Sequence, residues 1–289
     1  MTQRDPFGAR LAKAIAERGP LCAGIDPHPP LLDAWGLDRN AAGLERFALT
    51  AVEALAGTVA VLKPQSAFFE AFGSSGIAVL ERVLAEVREA GALALLDAKR
   101  GDIGSTMAAY AAAYLTDGSP LAADALTVSP FLGFGSLQPA IDAALGSGRG
   151  LFVLCRTSNA EGGQVQLAAA SGGYPVTGSG NPAVTVAQQI ADAAATLNAG
   201  AAPLGSIGLV VGATVTQLGA DLTRVNGPLL APGLGAQGAS ADDLRGVFGA
   251  VAGAVLPAAS RSILSAGPSV TALRDAAARE AERVRAALG

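Results

Sequence analysis

An apolar run ends abruptly in charges at Ala92-Leu93-Ala94-Leu95-Leu96-Asp97-Ala98-Lys99-Arg100-Gly101-Asp102. Side chains alternate across a strand, so Asp97 and Lys99 leave its C-terminal end on the same side, and Gly101 lets the chain turn until Asp102 approaches them. Two carboxylates would then flank one ammonium. Nearby negative charge favours the cationic form of a lysine while desolvation opposes it, so the pattern predicts a protonated Lys99 acting as a positioned proton donor. The same spacing suits a strand-end ion pair followed by a helix cap, with Asp102, Ser105 or Thr106 satisfying the first turn. Spacing alone leaves both readings open.

Other candidates are weaker when taken singly. Asp26 and Lys63 each follow an apolar run, and strands of one barrel would aim both into the same mouth; a turn aspartate and a snorkelling surface lysine are the plain alternatives. The run Ala231-Pro232-Gly233-Leu234-Gly235-Ala236-Gln237-Gly238 has the backbone freedom to wrap a phosphate with N–H groups. Arg261 could add a paired, charge-assisted contact and Gln237 a neutral amide contact, against a flexible loop and a surface arginine. The single histidine, His28, lies between Pro27 and Pro29 and gives a metal site or hydrolytic triad nothing to build on, so it reads as structural or surface. No metal ligand set is expected. Cys155 reads as a packing residue and not a nucleophile, and Trp35 as packing beneath a loop. The spacing of Cys22 and Cys155 matches neither a zinc site nor a disulfide framework, which suits a reducing cytoplasm.

The elements that must carry these groups alternate in a βαβ pattern. Strands are expected at Leu21 to Ile25, Thr58 to Leu62, Ala92 to Leu96, Ala125 to Val128, Leu151 to Leu154, Ile207 to Val211, Leu229 to Ala231 and Ser262 to Leu264. Helical faces recur between them: Leu44, Phe47, Val52 and Leu55; Ile77, Leu80, Val83, Leu84 and Val87; Met107, Tyr110, Tyr114 and Leu115. Val270 through Leu288 reads as a closing helix, and Phe7, Leu11 and Ile15 as an extra N-terminal one. Near-continuous apolar strands imply burial on both faces, as in a parallel sheet covered by helices. About eight such units predict an α/β fold, a (β/α)8 TIM barrel forming a single domain over 1–289. An open doubly wound sheet is the alternative, but Gly24-Ile25-Asp26-Pro27-His28-Pro29-Pro30 offers no glycine fingerprint opening a helix. Residues 158 to 181, rich in Gly, Ser, Gln and Ala, read as an insertion after the fifth strand. Either this stretch or 231 to 238 could close over the mouth.

Composition narrows the partners. A hydrophobic content of 51% is ample for a large core, and a net charge of -4 leaves no global basic field for nucleic acid or an anionic membrane, so any phosphate site must be local. The N-terminus is charged where a secretory signal would be apolar, and the longest charge-free stretches are interrupted by Gly, Pro, Asn, Gln and Thr, so no export or membrane span is expected.

Asp97-Ala98-Lys99-Arg100-Gly101-Asp102, continued by Ile103-Gly104-Ser105-Thr106, closely resembles the Asp-x-Lys-x-x-Asp element of the orotidine 5′-phosphate decarboxylases. Matching segments extend over nearly the whole chain: Gly24-Ile25-Asp26-Pro27, Leu62-Lys63-Pro64-Gln65, Arg156-Thr157-Ser158-Asn159, the 231–238 run, and Ser260-Arg261-Ser262-Ile263. They are similar to the longer bacterial branch. The resemblance implies decarboxylation of orotidine 5′-phosphate to uridine 5′-phosphate and carbon dioxide, the last step of pyrimidine nucleotide synthesis de novo, with no cofactor. It implies that Lys99 stabilises the carbanion and protonates it, that Asp97 and Asp102 hold the ammonium, and that Asp26 and Lys63 bind ribose hydroxyls. Gln237 and Arg261 would grip the phosphate, and Ser158 would contact the pyrimidine amide, with Thr157 as the alternative. In the family the second aspartate and the following threonine come from the neighbouring subunit, so a homodimer sharing Asp102 and Thr106 is expected. The segment departs from many relatives at Ala160, where they carry proline.

Two other readings have discriminating features. A metal-assisted sugar-phosphate lyase of the same barrel group would need an acidic ligand after the second strand, where this chain has the cation Lys63. A non-catalytic nucleotide-binding barrel would not need the intact charged cluster.

Overall fold

The computed structural model describes residues 4–170, 184–234 and 241–288. Eight parallel strands close into a barrel: β1 Cys22–Ile25, β2 Val61–Pro64, β3 Leu93–Arg100, β4 Ala125–Val128, β5 Gly150–Arg156, β6 Ile207–Val211, β7 Leu229–Pro232 and β8 Val255–Ala259. Each pairs with its neighbour in the chain, and β8 closes on β1 with Cys22 opposite Ala258 and Ala23 opposite Ala259. Nearly every strand residue is buried, as a sheet covered on both faces requires.

The helices of eight residues or more are α1 Phe7–Arg18, α2 Ala41–Leu55, α3 Gly73–Glu89, α4 Gly104–Leu115, α5 Gln138–Gly146, α6 Val186–Leu197, α7 Ala241–Phe248 and α8 Val270–Leu288. The apolar faces expected from sequence point inward: Leu44, Phe47, Val52 and Leu55 of α2 are buried, as are Leu80, Val83, Leu84 and Val87 of α3. Helix α1 packs across the end of the barrel where the strands begin, its Phe7 ring meeting that of Phe152 edge-on at 6.0 Å. This leaves the other end, where the strands finish, for a site. No described helix is long and apolar enough to cross a membrane.

Three expected elements are corrected. The eighth strand is Val255–Ala259, not Ser262 to Leu264, which lies in the short helix Arg261–Leu264 with the Ile263 and Leu264 N–H groups bonded back to Ser260. Pro257, which has no N–H to give the ladder, disguises the true strand. Strand β2 starts at Val61 instead of Thr58, so Lys63 lies inside it. Strand β3 runs past Leu96 through Arg100, so the charged cluster is part of the sheet. Between β6 and β7 the chain has turns and bends but no helix, a departure from a strict eightfold repeat.

After β5, the described part of the 158–181 stretch contains the helix Gly163–Gln166 and a strand Ala169–Ala170 that pairs with Val184–Thr185 ahead of α6. Residues 171–183 lie outside the described residues.

Candidate active site

The strands' C-terminal ends open into a cavity of about 560 Å3 whose walls include Asp26, Lys63, Asp97, Lys99, Ser158 and Arg261. Its charged lining is Lys63, Lys99 and Arg261 against Asp26 and Asp97, a local excess of one positive charge in a chain of net charge -4.

Strand β3 reaches this mouth through an irregularity. Leu96 pairs with Leu126 and Arg100 with Val128, so four steps along β3 span two along β4. The irregular stretch carries both Asp97 and Lys99, and a bulge is a place where side chains are re-aimed. Lys99 takes φ +49 within it, a left-handed conformation costing a non-glycine residue about 1 kcal/mol or more, and one that concentrates at functional sites. Gly101 then passes so close to β4 that an added Cβ would sit 2.4 Å from the Ser129 carbonyl oxygen.

The bulge gathers Asp97 between two lysines. Lys99 Nζ donates to Asp97 Oδ1 at 2.6 Å, and Lys63 Nζ donates to Oδ2 at 3.0 Å. Asp97 is 7% exposed and Lys63 6%, so both charges depend on each other. Burial pushes the Asp97 carboxyl upward, but Lys63 and Lys99 together outweigh it and hold the group well below the usual carboxylate range. For Lys63, burial opposes the charge, and Asp97 with Asp26 more than compensates, holding the ammonium above the usual lysine range. Lys99 is nearly half exposed along its side chain and faces the cavity. Arg100 points outward to Glu70 and the Tyr114 hydroxyl.

The expected arrangement, two carboxylates around Lys99, is therefore met in part within one chain. Asp102 does not reach Lys99; its Oδ1 accepts the Ile103 N–H at the start of α4. Thr106 is exposed on α4 and does not line the cavity. Asp26, Lys63, Ser158 and Arg261 do line it. Thr157 lines it too, but its hydroxyl is engaged by Gln166 and Asn159. Gln237 lies outside the described residues, as does the rest of 235–238 in the glycine-rich run. His28 meets Phe68 edge-on with ring centroids 4.2 Å apart, a packing contact at the cavity's edge. Among the described residues no group of three or more His, Cys, Asp or Glu side chains is arranged to hold a metal ion.

Two contributors were missed from sequence. One is Ser260, whose Oγ on the cavity wall is buried without a hydrogen-bond partner among the described residues, as is Oδ1 of the expected Asp26 beside it, an arrangement that is costly unless a ligand completes it. Thr127 on β4 donates its hydroxyl to Asp97 Oδ1 at 2.9 Å. Its signal was present: it is the only polar residue in Ala125-Leu126-Thr127-Val128.

A model of the orotidine 5′-phosphate decarboxylase / HUMPS family matches residues 19–276. The chain belongs to that family. An orotidine 5′-phosphate decarboxylase of Salinispora arenicola is 62% identical over 284 residues, covering 98% of this chain and 99% of the relative. That of Streptomyces coelicolor is 59% identical with the same coverage. A crystal structure from Streptomyces avermitilis, assigned to the same enzyme, superposes with a TM-score of 0.93 at 58% identity, covering 99% of this chain and 97% of that one. The OMP decarboxylase of Leishmania donovani gives 0.72 at 29% identity, covering 98% and 99%. The family, and the bacterial organisms of the Salinispora and Streptomyces relatives, thus agree with the motif's resemblance, and the solved relatives share the chain's barrel.

Proposed function

We infer that the protein decarboxylates orotidine 5′-phosphate to uridine 5′-phosphate and carbon dioxide in pyrimidine nucleotide synthesis, and that its own side chains supply the chemistry. The observation that carries this is the Lys63–Asp97–Lys99 array at the barrel mouth, in a chain about 60% identical along its length to relatives named for the reaction. Loss of carbon dioxide breaks the bond from the ring to the carboxylate and leaves the electron pair on a vinylic carbon with little delocalisation. A cation fixed beforehand beside that carbon stabilises the charge without reorganising during the reaction. Lys99 is that cation in our reading. Its Nζ–H then gives a proton to the carbon, and the resulting amine regains one from solvent.

Asp97 holds Lys99 and faces the departing carboxylate, while Asp102 and Thr106 act across a homodimer interface on the neighbouring subunit's site. Support for the sharing is that Asp102 stays away from Lys99 of its own chain. Asp26 and Lys63 take the ribose hydroxyls, a role suited to the unpartnered Asp26 Oδ1. Arg261 and Gln237 hold the phosphate and Ser158 meets the pyrimidine amide, all on a one-domain barrel. The two buried, unpaired thiols suit a cytoplasmic setting.

The decrease in ultraviolet absorbance of orotidine 5′-phosphate tests the reading, with chromatography to identify uridine 5′-phosphate. Turnover that persists with a chelator is expected. Binding without turnover would leave a nucleotide-binding barrel, and loss of turnover with chelator would favour a metal-assisted lyase.

A further inference from the structure

The Thr127 side chain is buried to 1% exposure and its hydroxyl has three partners: it accepts from the backbone N–H of Ala98 and of Lys99, both at 3.0 Å, and donates to Asp97 Oδ1 at 2.9 Å. Two acceptor sites and one proton are all a hydroxyl has. Because both amides can only donate, the proton must go to the carboxylate, so the chemistry of the partners fixes the direction of each bond. These are the amides of the bulge, where β3 and β4 lose their regular register between Leu96 and Arg100. One side chain thus replaces the missing backbone acceptor and ties the bulge, the Asp97 carboxylate and the left-handed Lys99 backbone to one atom.

We propose, on the decarboxylase reading of this site, that Thr127 is a positioning residue for the reaction: its hydroxyl sets where the Lys99 ammonium and the Asp97 carboxylate stand, without touching the reacting carbon. Valine has nearly the shape of threonine but cannot accept the two N–H groups or donate to Asp97. Serine keeps all three bonds. A displacement of Lys99 by about 1 Å would cost turnover on the order of 100-fold, whereas ribose and phosphate contacts made by other strands would be retained.

The test compares Thr127→Val and Thr127→Ser with the parent for kcat and KM on orotidine 5′-phosphate, alongside the affinity of each for uridine 5′-phosphate. The expected result is a kcat lowered at least about tenfold in Thr127→Val, KM and product affinity within about threefold, and serine restoring kcat to within about threefold of the parent. A purely structural role would lower the folded fraction and leave the turnover of each folded site unchanged. A folded Thr127→Val with parental kcat, or a serine variant as impaired as valine, would overturn the proposal. If Thr127→Val does not fold, Thr127→Ala takes its place under the same criteria, and failure of both to fold assigns the hydroxyl to the fold alone and overturns it. A parent protein without turnover refutes the decarboxylase reading, a result distinct from an active parent with an equally active valine variant.

Discussion

Removing the charge of Asp97 should destabilise the barrel as well as its chemistry. Lys63 Nζ lies 3.0 Å from Asp97 Oδ2, and both side chains are more than nine-tenths buried. At an effective dielectric constant near 20 the attraction is about 5 kcal/mol, much of it offset by desolvation already incurred on folding. Asp97→Asn keeps the shape but leaves Lys63 buried beside an amide, with only Asp26 still favouring its charge. A loss on the order of 3–5 kcal/mol is expected for breaking such a pair from one side. Lys63→Met should cost less, because Asp97 retains Lys99 and Thr127. The double variant removes both buried charges and should recover part of the loss, giving a coupling of about 2–3 kcal/mol. Urea unfolding followed by circular dichroism measures all four proteins. With a slope near 3 kcal/mol/M, Asp97→Asn alone would lower the midpoint by about 1 M or more. Losses that add to within about 0.5 kcal/mol would show that the pair does not act as a pair, and the electrostatic reasoning would fail.

Three further outcomes are expected. Burial pushes the thiols of Cys22 and Cys155 up to about 12, so both stay protonated in the fold while the unfolded chain ionises them near 8.5. The stability this contributes is fully present below about pH 8.5 and is lost as pH rises towards 12, by up to about 1.4 kcal/mol per pH unit for each thiol; pH-dependent unfolding should show a shallower alkaline decline in Cys22→Ala/Cys155→Ala, and an unchanged decline would contradict this. Arg261→Ala should raise KM by about 10- to 100-fold with little change in kcat, as loss of a charge-assisted phosphate contact would; steady-state kinetics would contradict this with a kcat-only defect. Lys99→Ala and Asp102→Ala, each inactive alone, should regain about a quarter of parental activity after subunit exchange if the site is shared in a dimer; no recovery would contradict the sharing.

Much of this architecture was readable because burial on both faces writes strands as unbroken apolar runs. Ala125 to Val128 and Ile207 to Val211 fell where expected to the residue. Val255–Ala259 did not, since a proline within a strand reads as a breaker unless the pairing partner is known. The charged cluster was legible from Asp97 and Lys99, which both stand on the cavity wall, though on an irregular stretch of strand and not by strict alternation. What alternation could not supply was the bulge, the left-handed Lys99 and the closeness of Lys63 to Asp97, which arise from registry between strands distant in sequence. Thr127 was hidden for the same reason: a lone hydroxyl in an apolar strand acquires meaning only from the neighbouring strand's unpaired amides.

Lys99→Ala offers the most direct measurement, made as single-turnover conversion of orotidine 5′-phosphate together with the affinity for uridine 5′-phosphate. An ammonium that both steadies the carbanion and protonates it predicts turnover reduced at least about 1,000-fold while the product still binds within about tenfold of the parent. A variant that decarboxylates within tenfold of the parent would contradict the central role given to Lys99.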